Sequence, residues 1–152
     1  MRISNYLTYR EVTRSYEAKR RGIKNTPSKE ELSNLEDIAV NVFDKVRECI
    51  GAPLGITSGF RCKALNTAVG GAKYSDHMTG RALDIDVDIF GNGTNAEVFE
   101  FIKDNLEFDK LIWEFGTDDE PSWVHVSYNK NRNRGIVLKA YKDGRKTKYK
   151  EI

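Results

Sequence analysis

Two short alternating segments dictate most of what this chain can fold into. In Ala82-Leu83-Asp84-Ile85-Asp86-Val87 and in Trp123-Val124-His125-Val126-Ser127-Tyr128, one face of an extended strand is apolar and the other is polar. Leu83, Ile85 and Val87 oppose Ala82, Asp84 and Asp86; Val124, Val126 and Tyr128 oppose Trp123, His125 and Ser127. The apolar faces need cover from elsewhere in the chain. If the two strands pair, the open face sets a carboxylate beside an imidazole, because cross-strand neighbours on one face stand about 4.5 to 5.5 Å apart at Cβ.

The cover is legible upstream. Ser28-Lys29-Glu30-Glu31 has the form of a capping box and opens the longest helical pattern. Leu32, Leu35, Ile38, Ala39, Val42, Phe43, Val46 and Ile50 recur at three- and four-residue steps until Gly51 and Pro53 end the run. Its other face, with Lys29, Glu30, Asn34, Glu36, Asp37, Lys45 and Glu48, reads as solvated surface. Shorter helices are expected from the Thr8 to Glu11 box, over Ser15 to Arg21 before Gly22, over Lys63 to Val69 before Gly70 and Gly71, and after the Thr94 to Glu97 box. Further strands are expected over Leu54 to Ser58, Asp109 to Phe115 and Gly135 to Lys142, the last turning through Asp143-Gly144 into Lys146 to Ile152. Helices come first and strands cluster later. That order predicts an α+β domain, a mainly antiparallel sheet with helices packed on one face and a site on the other.

A chain of 152 residues fits one domain over residues 1–152. With 39% hydrophobic and 32% charged residues it has the balance of a folded protein. A net charge of +2 is too small to argue for nucleic acid. No apolar run approaches the roughly 20 residues of a membrane span, and no signal-peptide stretch is seen near Met1, so a cytosolic origin is expected. Cys49 and Cys62 lack CxxC spacing and read as buried thiols.

The chemistry concentrates in few residues. His77 precedes Asp84 in the segment Ser75 to Asp86, and His125 is the second of only two histidines. Two imidazoles and one carboxylate suit a catalytic zinc, which keeps three protein ligands and an open position. Gly80 permits the turn that would fold His77 toward Asp84. A base is also needed. Glu114, ending the apolar run Leu111-Ile112-Trp113, is the first candidate and Glu120 the reserve, with a solvated strand end as the ordinary alternative for Glu114. Asp86 either orients a ligand histidine or is a partly exposed strand carboxylate. Arg61, after a strand and turn, either clamps a substrate carboxylate or makes a surface salt bridge.

These residues carry a resemblance. Ser58-Gly59-Phe60-Arg61, Asn66 with Gly70-Gly71-Ala72, Ser75-x-His77-x-x-Gly80-x-Ala82-x-Asp84, Ile112-Trp113-Glu114 and Trp123-Val124-His125-Val126-Ser127 resemble the zinc D-Ala-D-Ala carboxypeptidase family. That family includes phage endolysins and vancomycin-resistance dipeptidases, and shares its fold with the hedgehog signalling domain. The resemblance implies that His77, Asp84 and His125 bind one zinc per chain. Arg61 would hold the substrate's terminal carboxylate or polarise its carbonyl, and Ser75 and Trp123 would also contact the substrate. It implies hydrolysis of bacterial peptidoglycan stem peptides, of the D-Ala-D-Ala carboxypeptidase type. The alternatives are an endopeptidase cutting another stem or cross-link bond, and a non-catalytic zinc-binding module. Two departures bear on catalysis. Ser122 stands three positions before the last histidine, where many relatives carry an acid, whereas a hedgehog-like arrangement places the acid at Glu114. Trp123 replaces a histidine that many relatives carry. The expected molecule is a monomer made in the bacterial cytoplasm from a phage or prophage gene, acting on the cell wall.

Overall fold

Each capping box starts a helix in the computed structural model, which describes residues 1–152. Thr8 caps α1 (Tyr9–Thr13), Ser28 caps α3 (Lys29–Ile38) and Thr94 caps α6 (Asn95–Asn105). Between them, α2 (Tyr16–Arg21) ends on left-handed Gly22, and α5 (Lys63–Ala68) leads to the Gly70-Gly71 loop. The long amphipathic run differs from a plain helix: after α3 it widens into a π turn, Ala39–Phe43, before resuming as α4, Asp44–Ile50. The wider turn delays each later residue around the axis. It carries Asp44 inward, where its buried carboxylate accepts from Ser4 Oγ at 2.8 Å and from the backbone N–H groups of Asn5 and Tyr6. The N-terminal arm is thereby pinned to the helix.

Six strands form one sheet in the order β1-β2-β4-β3-β5-β6. They are β1 (Gly55–Ser58), β2 (Ala82–Asp86), β3 (Lys110–Glu114), β4 (Trp123–Ser127), β5 (Ile136–Asp143) and β6 (Lys146–Glu151). All pairings are antiparallel except β3 with β5. The expected β5–β6 hairpin forms, with Asp143 opposite Lys146. The parallel pair follows from the path of the chain after β4, which swings round residues 128–135 to the far side of β3. Buried Asp109 anchors that path, accepting from Arg134 Nε and Nη2 at 2.8 Å each, and this pairing holds its carboxyl below the usual range.

Leu83 and Ile85 of β2, Leu111 and Trp113 of β3, and Val124 and Val126 of β4 meet Leu35, Ile38, Phe43 and Val46 of the long helix and Val98, Phe99 and Ile102 of α6 in one core. Each such side chain contributes about 1.5 to 3 kcal/mol on burial. The opposite face of the same strands carries Asp84, His125, Ile112 and Glu114. No helix is long and apolar enough to cross a membrane. Both cysteines are free, and Cys49 is exposed on α4, contrary to the expected buried thiol, because it falls outside the helix's apolar stripe.

Candidate metal centre

The site is assembled by one turn and two strands. Ser75 Oγ accepts from His77 N at 3.2 Å and so caps a single 3-10 turn, Asp76–Thr79. Gly80 closes the turn at φ 74°, and a Cβ there would lie 2.3 Å from the Glu31 carbonyl oxygen, so only glycine fits. The turn delivers a His77 ring that is 1% exposed. Its Nδ1 lies 2.7 Å from the Gly59 carbonyl oxygen. A carbonyl can only accept, so Nδ1 carries the proton and Nε2 keeps its lone pair.

That lone pair points at Asp84. Nε2 is buried without a hydrogen-bond partner, 3.3 Å from Asp84 Oδ2. Asp84 and His125 face each other directly in the β2–β4 register, with His125 Nδ1 3.0 Å from Asp84 Oδ1. One ligand atom from each of the three residues lies within 4.8 Å of the others. Burial works to raise the Asp84 carboxyl, but the two imidazoles beside it, His77 and His125, outweigh it and hold the group well below the usual carboxylate range. A lone pair and a carboxylate oxygen facing each other in a dry pocket need a cation or proton between them. The donor set, two imidazoles and one ionised carboxylate, fits a zinc-type ion, and the Gly59 carbonyl fixes the His77 tautomer as an outer partner does in such sites.

A cleft of about 480 Å³ opens over this group. Arg61, Ser75, Glu114 and Trp123 all line it, together with Lys142, Thr147 and Tyr149 from the terminal hairpin. Glu114 ends β3 opposite Trp123 and is 8% exposed, and its carboxylate accepts no hydrogen bond from the protein. Burial pushes its carboxyl up to about 7; the charge of His125 opposes this and that of Asp84 adds to it. Immediately after it, Phe115 takes the left-handed conformation at φ 56°, followed by Gly116 at 72°. For a non-glycine residue this costs of the order of 1 to 2 kcal/mol. The strain is held by Phe115 packing against Trp123, ring centroids 5.5 Å apart, and it stops β3 at the point where Glu114 faces the cleft.

Arg61 has a built seat. Its backbone N–H donates to the His77 carbonyl at 3.1 Å. Asn25 clasps the residues on either side, donating to the Phe60 carbonyl and accepting from Cys62 N, at 2.8 Å each. The guanidinium itself has no carboxylate partner: Nε is buried without a hydrogen bond, and Nη2 reaches only Ser75 Oγ at 3.5 Å. Burial lowers its proton affinity, while the charge of Asp84 raises it. A half-buried cation lacking an internal counter-ion suits an anionic guest.

Other acids lie apart. Glu120 does not line the cleft; its Oε1 accepts from Ala96 N at 2.5 Å in the first turn of α6. Asp86 accepts from Asp88 N at 3.0 Å and Asn95 Nδ2 at 3.1 Å, so it serves a turn and touches neither histidine. The other large hollow, about 370 Å³ between α6 and the outer face of the hairpin, holds no histidine, and its acids Glu100 and Asp118 are paired with Lys103 and Lys139. Sequence patterns did not reveal Asn25, the Gly59 carbonyl or the hairpin residues as parts of the site. Asn25 sits in a coil with no motif, and the hairpin's Lys142, Thr147 and Tyr149 look like ordinary exposed strand residues.

A family model described as Peptidase M15 matches residues 5–127, ending with β4, so that β5 and β6 lie outside it. No curated protein matches the chain.

Proposed function

The chain belongs to the peptidase M15 family, and from that premise we propose that it is a zinc peptidase of bacterial peptidoglycan stem peptides, acting as a D-Ala-D-Ala type carboxypeptidase. The observation that carries this reading is the convergence of His77, Asp84 and His125 in one cleft with a buried Glu114 and a half-buried Arg61, neither of which has a charged partner in a salt bridge. His77, Asp84 and His125 would hold one zinc per chain. Bound there, zinc supplies Lewis-acid polarisation of a carbonyl and acidifies water.

The chain's own residues account for the remaining steps. Glu114 stands at the cleft face with a buried carboxyl that no protein donor satisfies, which suits a group that takes a proton and returns it. It accepts the proton of the attacking water as the new C–O bond forms. It then delivers that proton to the amine nitrogen as the C–N bond breaks, so that one water is consumed per bond. Arg61 donates to an anionic oxygen, either the terminal carboxylate or the oxyanion that develops on the scissile carbonyl. Trp123 and Phe115 wall the cleft beside Glu114 and exclude bulk water. Ser75 holds the His77 turn and lies alongside Arg61 at the peptide's entry.

One feature favours a second reading, an endopeptidase: the cleft continues past the centre in both directions, from Arg61 to Lys142. Digestion of purified muropeptides with mass analysis separates the two, since release of single D-Ala marks the carboxypeptidase and internal cuts mark the endopeptidase. Glu114→Ala should bind zinc normally and lose hydrolysis by at least about a hundredfold. Near-normal turnover by that variant would move the base elsewhere. One zinc per chain with no product from any wall peptide would instead make this a metal-holding binding module.

A further inference from the structure

We propose that the β5–β6 hairpin selects the substrate, with Lys142 binding a second carboxylate of the stem peptide at the end of the cleft opposite Arg61. This rests on the peptidase reading and deepens it.

The register fixes where Lys142 stands. Asp84, His125, Ile112 and Leu138 lie in one row across the sheet; Trp123, Glu114, Ala140 and Tyr149 form the next row on the same face. Lys142, opposite Thr147, lies one row further on. Arg61 lies the other way, because β1 runs from Gly55 opposite Asp86 to Ser58 opposite Asp84 and continues toward the Ala82 end. The two cations therefore flank the metal group at opposite ends. Four residues at about 3.3 Å and two strand spacings of about 4.8 Å put the Lys142 backbone roughly 16 Å from that of His125. A lysine stem of roughly 6 Å then leaves about 10 Å, which an extended peptide covers in about three residues.

Lys142 is also held for a task. Lys139 and Lys148, its neighbours in the hairpin, are ion-paired with Asp118 and Asp143. Lys142 has no carboxylate partner. Its Nζ donates to Thr147 Oγ1 at 2.8 Å and lies 5.3 Å from the Phe115 ring centre, which fixes the ammonium on the cleft side. Between this lysine and the metal group, buried Ala140 offers only a methyl group and leaves a trough between Glu114 and Tyr149. Tyr149, about half exposed, lines the same cleft beside that trough. A trough with a fixed cation at its end suits a backbone carrying an acidic group two or three residues from the scissile bond.

The test uses the full zinc-loaded chain and synthetic stem pentapeptides that keep a free C-terminal carboxylate and whose other acidic groups are either free carboxylates or carboxamides. Wild type should cleave the free-acid peptide about tenfold more efficiently in kcat/KM, the effect of one charge-assisted hydrogen bond. Lys142→Gln should bring the ratio near one and Lys142→Arg should restore it. Lys148→Gln, on the hairpin's other face, should keep the preference. Equal cleavage of both peptides by wild type overturns the proposal and leaves the peptidase reading intact. If neither peptide is cut, that reading fails, and binding of the same pair, followed by tryptophan fluorescence, decides the proposal: tighter binding of the free acid that Lys142→Gln abolishes supports it, and equal binding overturns it.

Discussion

Replacing Glu114 by Gln should change the pH dependence of stability in the metal-free protein, by an amount that the site's burial sets. Glu114 is nearly enclosed and has no hydrogen-bond donor, and its carboxyl moves from 4.5 to about 7 on folding. A folded-state value above the unfolded one means that the folded chain holds the proton more tightly. The group's favourable contribution is then complete below pH 4.5 and is lost as pH rises through 7. At about 1.4 kcal/mol for each pH unit spanned, the loss is on the order of 3 kcal/mol. Urea unfolding of chelator-treated wild type and Glu114→Gln at a series of pH values measures it. The amide adds an offset that does not vary with pH, so the difference between the two curves reports the Glu114 carboxyl together with its coupling to the charges beside it. Wild type should lose about 3 kcal/mol relative to the variant between the two values and nothing further above them. Parallel curves would refute the argument that Glu114 is desolvated in the folded state. Added zinc should flatten the wild-type curve, since a nearby cation favours the carboxylate.

Metal removal and three substitutions probe the scaffold. Chelation should lower the melting temperature of wild type but not of His125→Ala, because a ligand present at a thousand times its Kd stabilises by about 4 kcal/mol; calorimetry with and without zinc checks this, and equal shifts would count against the centre. Asp44→Ala should cost about 1 to 2 kcal/mol by removing the buried acceptor of three donors in the N-terminal arm, or about 2 to 8 °C in melting temperature, with zinc content unchanged. Gly80→Ala should cost at least about 1 kcal/mol and also reduce zinc content, since the strained turn carries His77; elemental analysis of the folded fraction separates the two effects.

The fold was legible where order is local. Capping boxes and three- and four-residue periodicity mark the helices because a helix satisfies itself within a few residues, and alternation marks β2 and β4 because strand faces repeat every second residue. The metal group followed from the same property. Once Asp84 and His125 occupy the open faces of two strands that pair, the register sets them side by side. What stayed hidden depends on residues far apart in sequence. The parallel β3–β5 pairing rests on Asp109 reaching Arg134. The π turn serves an arm some forty residues upstream. Glu120 lies near His125 in sequence, yet it serves the first turn of α6. Asp86 shares a face with Asp84 but is taken up by Asn95 and Asp88.

The two ends of the cleft are supported by different parts of the chain, and this separates chemistry from selection. At the Arg61 end the backbone is tied into the scaffold: Asn25, the His77 carbonyl and the Gly59 carbonyl join the Arg61 segment, the ligand turn and the chain that follows the first strand into one unit. A change there disturbs buried hydrogen bonds, and the metal site moves with it. At the other end, Lys142, Thr147 and Tyr149 stand on an exposed hairpin outside the residues that match the family. Substitution of exposed side chains away from buried networks shifts stability by only about 0.5 kcal/mol, so this end can vary while His77, Asp84, His125 and Glu114 keep their geometry. On the proposed reading, substrate choice rests where alteration costs the fold least, and the hairpin is the place to alter specificity without rebuilding the cluster of His77, Asp84, His125 and Glu114.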